Sequence, residues 1–298
     1  MYGITGPSNL QKIRHTTETE EMLQEFLRLI MKGDNWKISL FNWSDILVSN
    51  LITFIETVFQ GLWFGFLERK DFDIITKMYY SSTGMYQEEV YNLSGFWYWE
   101  EQIVNNFFKD CRTVLVGAAG GGREIIASSK RGINVEAFEC NNDLVLYCSH
   151  LLKKYGILAK IVLSAPDHVP DEMGIYDGLI IGWGGYMHIF GYENRVQFLK
   201  ECHEHVKPNS PIFLSFWTRN ESNVFDFHST RIAKFIRFLR RNDEPIEIGD
   251  TIDSPGYYHR FTKEEIEKEL KEAGFLLVFY SESGVPHAVG KAFDQILN

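Results

Sequence analysis

The sequence predicts an α/β protein with a doubly wound, mostly parallel seven-stranded sheet behind an all-helical N-terminal extension. Three observations predict it. Within residues 1–110, apolar residues recur at helical spacing from about Thr17 to Phe108, where no strand run of comparable strength is found. From Thr113 onward, short apolar runs alternate with amphipathic segments, as expected for a parallel sheet covered on both faces. The first of these runs, Thr113 to Asn141, reads as a strand, a glycine turn, a helix, and a second strand ending on an acid. That order opens a mononucleotide-binding βαβ unit.

Within the extension, helices are expected over Thr17–Lys32, Asn42–Phe66, Asp71–Tyr80 and from Ser94 or Gly95 to Phe108. The apolar stretch Ile46–Leu67 places Ser49, Asn50, Thr53, Glu56, Thr57 and Gln60 mainly on one helical face, with Leu47, Leu51, Phe54, Ile55, Val58 and Leu62 on the other. This pattern is read as an amphipathic helix packed on protein, and no membrane contact is expected. The segment from Tyr86 to Glu101 is rich in aromatic and acidic residues, which suits a lid over the glycine turn or an anchor onto the sheet.

In the second part, residues 111–298, strands are expected at Thr113–Val116, Asn134–Phe138, Lys160–Leu163, Gly178–Ile181 and Ile212–Phe216. Helices at Glu124–Lys130, Asn142–Tyr155 and Glu193–His205 alternate with them. An insertion from Thr218 to His259 follows. Thr262 then caps a helix with Glu265 at the capping-box position, Gly274 stops it, and strands Leu276–Tyr280 and His287–Ala292 close the fold.

Composition narrows the partners. A formal net charge of −10 argues against nucleic acid, whose binding needs clustered Lys and Arg. Arg231, Lys234, Arg237, Arg240 and Arg241 share one predicted helix and are read as a solvated face. Cys111, Cys140, Cys148 and Cys202 are scattered without zinc spacing, so no metal is expected and reduced thiols in a cytoplasmic protein account for them. The polar, acidic N-terminus does not read as a signal peptide.

The glycine turn admits two ligands. As a GxGxxG-like turn it offers Gly117, Ala119 and Gly122, with Glu139 near the distance of a dinucleotide ribose partner. Over residues 110–292, however, the order of motifs resembles a class I S-adenosylmethionine (SAM) methyltransferase. The resemblance rests on Val114, Leu115 and Val116, then Ala118, Gly120 and Gly122, then Arg123 and Glu124. It continues through the acid Glu139, the Tyr176-Asp177 pair, VKPNSPIFLSF and FTKEEIEKELKEAGF.

That resemblance implies SAM as cofactor. Gly117, Ala118, Ala119, Gly120 and Gly122 would face the methionine end, and Glu139, followed by Cys140 and Asn141, would hold the ribose. Val116 stands where the family commonly has an acid, which leaves the Gly117 carbonyl or Glu100 to meet the methionine amine. Ala165 stands at a common adenine-contacting Asp, which leaves Asp167 and His168 as substitutes. Tyr91 and Trp99 are candidate contacts from the lid.

Methyl transfer is expected beyond the fourth strand, where Gly182 and Trp183 border the cofactor and Tyr186 or His188 would take a proton from the acceptor. His168, His228, His259 and His287 are further candidates by residue type, with His259 placed at the expected mouth. The resulting expectation is a methyltransferase acting on an oxygen or nitrogen of a small molecule or peptide. A nicotinamide-dependent oxidoreductase and a SAM-binding partner without catalysis are the alternatives.

Overall fold

A computed structural model describes residues 36–219, 224–253 and 256–293. The expected helix Thr17–Lys32 lies outside the described residues. The chain divides into two units, residues 1–59 and 60–298.

In the first unit, helix α1 begins at Trp36 and runs on to Phe66. Leu47, Leu51, Phe54 and Ile55 are all exposed, so the expected packing of its apolar face is not seen among the described residues. Amphipathic spacing identified the helix but carried no information about what meets its apolar side.

In the second unit, the helical segments that follow are α2, Arg69–Ser82; a 3₁₀ turn, Gly84–Gln87; α3, Glu89–Leu93; and α4, Tyr98–Phe107. The expected division after residue 110 does not coincide with the division between units. Phe96, Ile103, Val104 and Phe108 are buried in the same apolar cluster as Val114, Val116 and Ile180 of the sheet, so α4 is part of the sheet's covering layer.

The alternating elements are β1 Thr113–Gly117, α5 Arg123–Lys130, β2 Asn134–Glu139, α6 Asn142–Lys154, β3 Lys160–Leu163, β4 Gly178–Ile181, α7 Tyr192–Glu204 and β5 Pro211–Ser215. The insertion contributes β6 Trp217–Thr218, α8 Val224–Arg240, β7 Asp250–Asp253 and β8 Gly256–Phe261. It ends two residues beyond His259, because β8 continues into the Thr262 cap. Helix α9, Lys263–Glu272, has the expected capping box between Thr262 and Glu265. Strands β9 Phe275–Ser281 and β10 His287–Ala292 follow.

Seven strands form one sheet in the order β3-β2-β1-β4-β5-β10-β9, and β6-β8-β7 form a second. In the larger sheet β10 runs antiparallel to both neighbours, and the other pairings are parallel. Central strands buried on both faces explain the unbroken apolar runs. Leu115 and Leu179 enter one core layer with residues of α7 and α9, while Val114, Val116 and Ile180 enter the opposite layer with α4, α5 and α6. A third cluster, including Phe64, Phe72, Phe190 and Tyr257, fastens the insertion to α2 and the end of α1.

Asp177 ties the lower ends of β1 and β4 together by accepting from the amides of Arg112 and Thr113, the Thr113 hydroxyl and Lys207. The Lys207 hydrogen bond is the main reason its carboxyl titrates well below the usual carboxylate range. A folded-state value depressed below the unfolded one gives stability that is present at neutral pH and lost as pH falls below about 4. Urea midpoints at pH 7 and pH 3 are therefore expected to differ less in Asp177→Asn than in the parent chain.

Candidate active site

The strand order reverses beside β1, with β2 on one side and β4 on the other, so a crevice opens at their carboxyl ends. A cleft lies there whose non-atom space, its open mouth included, is about 730 Å³. Its floor is the glycine turn, residues 118–121, with Arg123 and Glu124 of α5; Glu139, Cys140 and Asn141 form one side and Trp183, Gly185 and His188 another. Thr76, Lys77 and Tyr80 of α2 and Tyr86, Tyr91 and Asn92 of the following segment form the roof.

The turn has the backbone shape that glycine favours. Gly120 and Gly122 have φ of 53° and 103°, which other residues adopt at a cost. Gly121, missed by the sequence motif, is needed for a different reason. A Cβ there would lie 2.0 Å from the Tyr86 carbonyl oxygen and 2.7 Å from the Asn92 amide. Gly121→Ala is thus expected to push the roof off the turn and cost roughly 1–3 kcal/mol, read as a lower denaturation midpoint together with weakened ligand binding.

Glu139 ends β2 and is buried, with Oε2 accepting from the Gly120 amide at 2.9 Å and Oε1 from the Asn141 amide at 2.8 Å. Burial pushes its carboxyl above the usual value, against these donors. Burial, followed by the Glu139 charge, raises the Cys140 thiol to about 12, so this cleft residue is a neutral thiol and not a nucleophile.

His188 Nδ1 is 2.6 Å from the Tyr257 carbonyl, which can only accept, so Nδ1 carries the proton. Nε2 is left to accept from the Tyr80 hydroxyl at 2.8 Å. Burial lowers the His188 pKa, which keeps the ring neutral, and burial raises that of Tyr80 well above its ordinary value. The rings of Tyr80, Tyr86 and Tyr91 continue from this pair, with successive centroids 5.0 and 5.6 Å apart.

Several expected site residues lie elsewhere. Tyr186 is fully buried and gives its hydroxyl to Glu269 at 2.5 Å, within the Arg195–Glu269 pair, so it does not face the cleft. Glu100 binds Arg123 with both oxygens, at 2.5 and 2.6 Å, and does not line the cleft; Glu124 lines it and holds Arg123 through one oxygen, at 2.6 Å.

Trp99 packs against Phe213 and His287 of the sheet, whereas Tyr91 lines the cleft. Asp167 pairs with Arg69 and His168 with Glu201, both away from the lining. Gly117, Gly122 and Gly182 support the turn from behind: a Cβ on Gly117 would meet Phe138, on Gly122 Cys148, and on Gly182 the Ala118 carbonyl. His259 is buried on Asp250, His287 on the Val285 carbonyl, and His228 is exposed on α8. Lys77, Tyr80 and Asn92 join the cleft without a motif to announce them, because α2 and α3 are brought to the turn by packing alone.

No family model and no curated protein matches the sequence. Among solved structures, a SAM-dependent methyltransferase from Methanosarcina mazei aligns with a TM-score of 0.51 at 15% identity, over 67% of this chain and 99% of its own. The Burkholderia thailandensis 1,6-didemethyltoxoflavin-N1-methyltransferase, with 1,6-didemethyltoxoflavin and S-adenosylhomocysteine bound, aligns with a TM-score of 0.54 at 14% identity, over 76% of this chain and 92% of its own. The seven-stranded sheet, its strand order and these two likenesses agree: the chain has the fold of the class I SAM-dependent methyltransferases.

Proposed function

We propose that the protein is a SAM-dependent methyltransferase acting on an oxygen or nitrogen nucleophile of a small-molecule or peptide acceptor. The observation that carries this reading is Glu139, a buried acid at the end of β2 whose carboxylate borders a glycine-lined cleft at the switch point of the sheet. The cleft residues fit the cofactor. Glu139 would accept from the ribose hydroxyls, the backbone amides of residues 118–121 and the start of α5 would face the methionine carboxylate, and Glu124 would meet the amine.

When bound, SAM supplies a methyl group on a sulfonium leaving group. What the protein adds is alignment, exclusion of water and, for a protonated acceptor, a place for the proton. The faces of Tyr80, Tyr86 and Tyr91 suit a cation. His188 Nε2, now holding the Tyr80 hydroxyl, would accept the acceptor's proton either directly or through that hydroxyl.

Calorimetric titration with SAM, S-adenosylhomocysteine and NADH, followed by transfer of labelled methyl groups to amine and hydroxyl acceptors, tests the reading. Tight NADH binding without affinity for SAM would favour the oxidoreductase, and SAM binding without transfer to any acceptor would favour a non-catalytic partner. For an accepted substrate, His188→Gln is expected to lower kcat by about 10²–10⁴-fold with little change in SAM affinity. Because burial lowers the His188 pKa, the decline of kcat on acidification in the parent chain should set in at a lower pH than an ordinary imidazole, with its pKa of about 6.5, would give.

A further inference from the structure

Helix α8 carries apolar residues on both its inner and its outer side, with Ala233 buried on the inner one. Asp226, Ser229, Thr230 and Arg237 are on its buried side, while Phe227, Phe235, Phe238 and Leu239 are exposed, Phe238 at 77%. A helix laid on a globular core normally turns its apolar stripe inward. Here polar groups share the buried side, and large apolar side chains are left on the outer one. Asp226 pairs with Arg260, the Thr230 hydroxyl donates to the Glu247 carbonyl, and Arg237 donates to the carbonyls of Phe64 and Leu67 at the end of α1. Arg237 is thereby the stop for a helix end whose carbonyls have no partners within the helix, not a member of a solvated face.

Close packing carries the end of α1 onto this surface. A Cβ on Gly61 or Gly65 would lie 2.6 Å from Ile232 or 2.5 Å from Ile236, so the two glycines let the helix backbones approach. Exposed Leu62 and Phe66 extend the apolar patch. Arg231, Lys234 and Arg241 are exposed around it. Taken by itself, the stretch 36–59 has the same character, with Phe41, Leu51 and Phe54 exposed. Helix α1 is long and apolar enough to cross a membrane by length and composition, but the exposed polar residues Ser49, Thr53 and Glu56 along one side suit a helix lying in the membrane interface.

We propose that the exposed face of α8 and the end of α1 seats the protein on an anionic lipid bilayer. The phenyl rings enter the boundary between headgroups and acyl chains, and Arg231, Lys234 and Arg241 meet the lipid phosphates. Charge selects the bilayer over a second copy of the chain. The protein carries a net charge of −10, yet this face is cationic, so a two-fold pairing would set like charges together while an anionic surface neutralises them.

Co-sedimentation of the full chain with phosphatidylcholine vesicles, with and without phosphatidylglycerol, tests the proposal. The chain is expected to pellet with the anionic vesicles and to be released by high salt. Arg231→Glu/Lys234→Glu should weaken binding by at least about 25-fold, and Phe235→Ser/Phe238→Ser should abolish it. Both double variants replace exposed residues away from the cleft, so their melting midpoints and SAM affinities should match the parent chain. The proposal is overturned if the parent chain stays in solution with both vesicles. It is equally overturned if the phenylalanine variant pellets as well as the parent, or if the parent ignores vesicles and forms a dimer that this variant dissociates.

Discussion

Replacing Glu139 with glutamine is expected to weaken SAM binding by about 100-fold in calorimetric titration while leaving the fold intact by circular dichroism. The magnitude follows from the bonds at stake. An ionised carboxylate accepting from two ribose hydroxyls makes two charge-assisted hydrogen bonds, each worth roughly 1.5–3 kcal/mol, and the amide retains part of that acceptance. Glu139→Ala should lose more, because the Gly120 and Asn141 amides, now held at 2.9 and 2.8 Å, would also lose their acceptor and the turn its present shape. If the glutamine variant bound SAM as well as the parent chain, the ribose assignment would be wrong even if methyl transfer were real.

The second large effect concerns the attachment of the roof to the floor. Arg123 begins α5 at the cleft, and its guanidinium is held by Glu100 and Glu124, donates to the Gly95 carbonyl, and lies 4.1 Å from the centre of the Trp97 ring. Burial works against its charge, but the carboxylates of Glu124 and Glu100 outweigh that and keep it protonated. Glu100→Ala would leave a buried cation with half of its compensation, at a cost of about 3–5 kcal/mol in urea denaturation. Arg123→Met should be comparably severe, since it strands two buried acids. The double variant should lose clearly less than the sum, because once one charge is gone the other no longer has a partner to lose. Additive losses would show that the pair contributes nothing beyond its separate residues.

Much of the fold was legible in the sequence. Strands β3, β4 and β10 fall where their apolar runs place them, and the Thr262 cap forms as its spacing predicts. The glycine turn and Glu139 were legible for the same reason: their chemistry is local, set by backbone freedom and by the step from one strand to the next. Tyr186 shows where that reasoning ends. It stands in the expected loop, but its side chain leaves the cleft because Glu269, 83 positions away in sequence, offers its hydroxyl a buried partner. Glu100 is lost to the ligand in the same way, through Arg123.

The sequence by itself therefore determined the alternating α/β architecture, the nucleotide-type turn and the acid beside it, since periodicity and glycine placement act over a few residues. Only the tertiary structure decided which tyrosines roof the cleft, which proton His188 carries, and which face of α8 remains open. Those outcomes depend on partners distant in sequence: a carbonyl at Tyr257 for His188, and the end of α1 for Arg237. Spacing along the chain records which side of a helix is apolar, and only packing decides what that side meets.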